Sequence, residues 1–132
     1  MSGWGSDSVD GAGAQTSQTA TITLPTAINI AEVVIDPAET CGDDPTAATG
    51  PFVLETSTDG VTYTVAAQGT FVDADRHRLN SVPLTAGGSN VRFMRFTMVA
   101  PQVDRSQCDA LPTSGCFFMD MTEIEVYGAP VS

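Results

Sequence analysis

The apolar residues of this chain fall in short runs of period two, and no stretch repeats at the helical spacing of three to four. Gln18 to Leu24 alternates, with Ala20, Ile22 and Leu24 facing one way, Thr19, Thr21 and Thr23 the other, and Pro25 ending the run. Ile28 to Ile35 is nearly continuous aliphatic sequence, as an interior strand requires, and Pro37 stops it. Val91 to Val99 reads as the longest strand and sets Met94, Phe96 and Met98 on one face. Strands this short bury their apolar faces only by stacking in two layers. The expected fold is therefore all-β, a jelly-roll β-sandwich of about eight antiparallel strands filling one domain over residues 1–132.

Between these runs lie the loops. Residues 1–17 are mostly loop or arm, because Gly, Ser, Asp and Ala from residue 5 onward have almost nothing to bury. Residues 37–50 form a long acidic loop and residues 101–116 a second one. Phe52 to Thr56 and Tyr63 to Ala67 are predicted to pair across Asp59-Gly60, since Asp-Gly suits the positive φ angles of a two-residue turn. Gly69 to Val72 and Leu79 to Leu84 are weaker strand candidates. Met121 to Tyr127 reads as the last strand, with Ile124 and Val126 on one face and Glu123, Glu125 and Tyr127 on the other.

Charge narrows the partners. Sixteen acidic residues stand against five basic ones, all arginine, for a net charge of −11. Nucleic acid and anionic membranes demand clustered positive charge, so neither is an expected partner. No apolar run is long enough for a membrane-spanning helix.

Chemistry is thinly supplied. The single histidine, His77, sits between Arg76 and Arg78, so a Ser-His-Asp triad would have to be built around it. The chain has no lysine, and its carboxylates are too many for any pair to stand out. Cys108 and Cys116 could close a loop disulfide around Pro112 and Gly115, leaving Cys41 buried and reduced or paired outside the chain. Without a Cys-x-x-Cys pair, zinc is disfavoured. Asp7, Asp10, Asp43 and Asp44 offer hard oxygens to a cation such as calcium. Sugar recognition needs an aromatic face and polar side chains on loops. Arg76, His77, Arg78 and Asn80 in one loop, and Phe117 and Phe118 beside another, supply those types; Arg105 and Asp109 lie in the second loop as well.

Three segments carry a family resemblance: Ser57-Thr58-Asp59-Gly60-Val61-Thr62-Tyr63-Thr64, the closing Met121-Thr122-Glu123-Ile124-Glu125-Val126-Tyr127-Gly128, and the early Trp4-Gly5-Ser6. Together with the arginine-bearing Val91-Arg92-Phe93-Met94-Arg95-Phe96, they resemble the discoidin, or coagulation factor 5/8 type C, domains, which are close to family 32 carbohydrate-binding modules. The resemblance implies a galactose-binding-like sandwich and a non-catalytic module of a larger secreted, extracellular bacterial protein, such as a peptidase or glycoside hydrolase. Its ligand would be a carbohydrate or cell-surface glycan. It also implies a buried Trp4, structural hydrogen bonds from Arg92 and Arg95, and a structural calcium near Ser2 and Glu123. The family's Asp-Gly calcium loop would precede this sequence, and its usual first strand would be missing or supplied by sequence outside the chain. Two other readings stand beside it: a protein-interaction or accessory domain docking to its parent chain or a partner, and an enzyme built around His77.

Overall fold

The structure, a computed structural model, describes residues 4–7, 17–38, 47–102 and 118–131. Eight strands are found in them: β1 (Trp4–Asp7), β2 (Gln18–Asp36), β3 (Pro51–Ser57), β4 (Thr64–Thr70), β5 (Asn80–Val82), β6 (Val91–Met98), β7 (Phe118–Met121) and β8 (Glu123–Pro130). The main sheet runs β4-β3-β6-β2-β5, with β8 also on β2; β1 and β7 form a separate pair. All named pairings are antiparallel. The fold is the nearly closed all-β sandwich the alternation implied.

The longest strand is β2, at 19 residues, and not β6. Pro25 does not end it. Pairing with β6 runs from Gln18 to Thr23, lapses across Thr23/Ile28 and resumes at Ile28 opposite Val91. Pro25 sits in that lapse, where its missing N–H costs no ladder bond. Beyond it the same strand takes β8 from Ile28 to Asp36 and β5 from Val33 to Ile35. One strand thus joins the two halves of the main sheet, and Val33, Val34 and Ile35, flanked by β5 and β8, are buried.

The core lies between the layers. Val33, Ile35, Leu54, Met94, Phe96 and Met98 are wholly buried, each stabilising the fold by about 1.5–3 kcal/mol relative to exposure. Phe52 stacks on Phe71 at 4.5 Å between ring centroids and on Phe96 at 5.7 Å. Ile124 and Val126 pack against this core from the last strand, as their alternation predicted.

Several local expectations change. Gly5 to Asp7 are strand, not arm, because they pair with residues 118–120, a contact that local sequence cannot reveal. The closing segment is two strands hinged at Thr122. The weaker candidates shrink to Asn80–Val82 and the end of β4. Asp59-Gly60 is part of a six-residue loop, 58–63, in which Gly60 has φ 79° and Asp59 has no positive φ. The reason is competition from side chains. Asp59 Oδ1 accepts the N–H groups of Val61 (2.8 Å) and Thr62 (2.9 Å), and Ser57 Oγ accepts that of Gly60 (2.9 Å). The bonds that Asp59 itself accepts, from Thr62 first, then Val61 and the Ser57 hydroxyl (3.0 Å), hold its carboxyl below the usual range.

Candidate functional site

Asp36 ties the loops after β2 and β4 to the hinge between β7 and β8. Its Oδ1 accepts the N–H of Ala38 (3.0 Å), an Asx turn that starts the acidic loop. The same oxygen accepts the N–H of His77 (2.9 Å), and its main-chain carbonyl accepts that of Thr122 (3.0 Å). Thr122 Oγ1 donates to Ala38 O (3.0 Å), and Asp120 N–H to Ala47 O (2.7 Å). Ala38, His77 and Thr122 thus meet on one aspartate. Pattern reading passed over Asp36, although an Asp-Pro pair closing an interior strand is a signal for such a turn.

The loop carrying the predicted ligand residues is clasped from both sides. A single 3-10 turn, Asp73–Asp75, begins it, with Val72 N–H donating to Asp75 Oδ2 at 2.8 Å. Asn80 Nδ2 donates to Ile35 O (3.1 Å), Asp75 O (2.7 Å) and Arg78 O (3.0 Å). Its amide nitrogen is spent holding the loop to β2, so Asn80 positions the loop. Arg76 donates to Asp73 Oδ1 through Nε (2.9 Å) and Nη2 (2.6 Å). His77 is exposed and sits at φ 61°, a left-handed conformation unusual outside glycine. The Asp36 bond fixes it there.

Arg78 points elsewhere, into an open cleft of about 440 Å³ between β4 and β5. Gln68, Gly69 and Thr70 form one wall, Ser81 and Pro83 the other, and Phe52 and Phe71 the floor. The structure therefore separates the predicted cluster: Arg76 and His77 lie outside the cleft's lining, while Arg78 and Asn80 lie within it. Phe118 opens β7 with its backbone opposite Asp7. Phe117, Ser2, Cys41, Cys108, Cys116, Arg105 and Asp109 lie outside the described residues. Arg95 makes the structural bond expected of it, to Glu55 Oε2 at 2.9 Å, and lies 3.6 Å over the Tyr63 ring.

Glu123 is exposed at the start of β8. A hydrogen bond and charge repulsion from Glu125, with Asp36 nearby, raise its carboxyl above the usual range. Glu125 in turn is lowered by the Tyr127 hydroxyl that donates to it. Calcium takes six to eight oxygens, and no three metal-ligating side chains converge among the described residues. By themselves these residues do not make a calcium cage.

No family model matches the sequence, and no curated protein does. Solved structures do match the fold. The C-terminal domain of a chitobiase from Bacteroides fragilis has TM-score 0.65 at 16% identity, over 98% of this chain and 74% of that one. An F5/8 type C domain from the same organism has TM-score 0.68 at 11% identity, with the same coverage. A family 32 carbohydrate-binding module from Clostridium perfringens, solved with GalNAc-β-1,3-galactose, has TM-score 0.59 at 14% identity over 85% and 66%. The chain thus has the discoidin-like, galactose-binding-domain fold.

Proposed function

We propose that the domain is a non-catalytic glycan-binding module, reading its ligand with the loop end organised by Asp36. The observation that carries this is the convergence on Asp36 itself. It holds the Arg76-His77 loop in one conformation beside the start of the loop after β2 and the hinge between β7 and β8, so little conformational entropy remains to be lost on binding. In this reading the exposed His77, with Arg76 held beside it on Asp73, meets the sugar hydroxyls, and Phe117 and Phe118 supply the aromatic face. The match in fold to a module solved with a disaccharide supports it, as does the likeness to a domain of a chitobiase. The parent is then a secreted bacterial enzyme, a glycoside hydrolase or peptidase, which the module holds to a polysaccharide or cell surface.

The test is a glycan array on the purified domain, followed by titration calorimetry with the best glycan. Wild type should bind with micromolar to millimolar Kd, and His77→Ala or Arg76→Ala should abolish it. Asp36→Ala should weaken binding without unfolding the domain. Repeating the array with a chelator asks whether a structural calcium completed by Ser2 and Glu123 is needed. An array without a hit under either condition would overturn the reading.

A further inference from the structure

We propose that the cleft between β4 and β5 takes an extended segment of another protein, paired main chain to main chain with β4 and carrying a carboxylate against Arg78. The argument starts from where the backbone of β4 points. Pro51 in β3 has no N–H, and its carbonyl accepts from Val99, on the β6 side. Phe52, one residue on, therefore turns its main chain to β4, where Gly69 is its register partner. Gly69 thus faces inward, and its neighbours Gln68 and Thr70 face outward. Phe71 agrees, for its N–H turns back to Gly50 O at 3.0 Å. The N–H and C=O groups of Gln68 and Thr70 consequently open into the cleft their residues line. Thr85 closes the cleft at its far end, with both N–H (2.8 Å) and Oγ1 (3.2 Å) on Ala66 O. The open stretch, Ala67 to Thr70, spans roughly 13 Å and suits about four residues of an extended partner.

Three further observations choose the occupant. The edge is undefended: Thr64–Thr70 holds no charge and no proline, the usual devices against strand addition. The floor is apolar but offers no stacking platform, because Phe52 and Phe71 are each only 6% exposed and lie against one another. That suits an alternate aliphatic side chain of a strand better than the face of a sugar ring. Finally, the Arg78 guanidinium forms no ion pair or hydrogen bond with the described residues. An unpaired arginine is the natural reader of a carboxylate. The molecule's net charge of −11 opposes a second copy at this edge. Within the cleft a carboxylate meets Arg78 and one acidic side chain, Asp75, whose Oδ2 already accepts the Val72 N–H (2.8 Å), while salt screens charges beyond about 8 Å.

The experiment uses fluorescence anisotropy with a labelled hexapeptide of alternating valine and threonine containing one glutamate. Controls are the same peptide with glutamine for glutamate and the same peptide N-methylated at alternate amides. The parent peptide should saturate, N-methylation should weaken it about tenfold or more, and the glutamine version should bind about threefold more weakly. Arg78→Gln should erase the difference between glutamate and glutamine peptides. Thr70→Pro removes one outward N–H at an edge, where proline is tolerated, and should weaken the parent peptide as N-methylation does. The N-methylated peptide keeps the test decisive should that variant fail to fold. Equal binding of the methylated peptide, or no saturable binding, would overturn the proposal. So would a wild-type dimer in sedimentation that Thr70→Pro dissolves, or a glycan that shifts the Gln68 and Thr70 amide resonances.

Discussion

Among the described residues the six-stranded sheet has two long edges, and they are built in opposite ways. Strand β8 ends one side of the molecule with eight residues that include Glu123, Glu125 and Pro130. Strand β4 ends the other with seven, none charged and none proline. Like charges along an edge repel an incoming strand, and proline leaves it without a donor. An edge left without either device remains a template for pairing. The third edge, β5, is only three residues long and is followed by Pro83. The contrast teaches where this molecule tolerates company: it is guarded at β8 and open at β4, beside a cleft with an apolar floor and an arginine that has no ion pair among the described residues.

The largest effect should come from removing the floor beneath the open edge. Phe52→Ala deletes a ring packed on both Phe71 and Phe96 and should cost about 3–5 kcal/mol in urea unfolding. Loss below about 1 kcal/mol would mean the cleft floor is loosely packed. Next are matched glycine substitutions at the two edges. A Cβ on Gly128 would fall on the Asn29 carbonyl, so Gly128→Ala forces β8 away from β2 and should cost about 2–4 kcal/mol. At Gly69 the added carbon meets only the Phe52 ring, at 3.3 Å, so Gly69→Ala should cost about 1 kcal/mol. Equal costs would erase the difference in how the edges are anchored.

Smaller still in stability, yet sharper for the comparison, is disarming β8. Glu123 and Glu125 are partners of Asp36 and Val34, respectively. Replacing both glutamates by valine should leave the urea midpoint within about 0.5 kcal/mol of wild type but make the domain self-associate in sedimentation. A monomer would show that charge is not what guards that edge. The smallest effect is a pH dependence at the turn joining β3 to β4. Asp59's folded pKa is depressed, so its stabilisation is present above the ordinary aspartate value of about 3.9 and is lost as pH falls through the lower folded value. Asp59→Asn keeps an acceptor for Val61 and Thr62 without a titrating group. Its stability should therefore fall less than wild type's between about pH 4 and pH 2. Parallel curves would remove Asp59 from the account of that turn.

Much of the layering was legible because period-two burial is a local property. Met94, Phe96 and Met98 are buried, and Ile124 and Val126 face the core, as their spacing required. What failed was whatever depended on a distant partner. Gly5 to Asp7 gain strand structure only from residues 118–120. Pro25 looks like a terminator until β6 is seen to skip its position. Asn80, chosen as a sugar contact for its amide, gives that amide to three carbonyls of its own fold.

Composition and pattern alone determined the all-β class, the apolar face of each principal strand, and the net charge of −11. They also determined that β4 is uncharged while β8 is acidic, since residue identity does not depend on folding. Tertiary structure decided that both of these strands are edges and that Gln68 and Thr70 turn their backbones outward. It also decided that Asp36 joins Ala38, His77 and Thr122 and that Arg78 parts company with Arg76 and His77. Hydrogen-bond direction and loop convergence arise from contacts across the chain, and no local alternation of side chains encodes them.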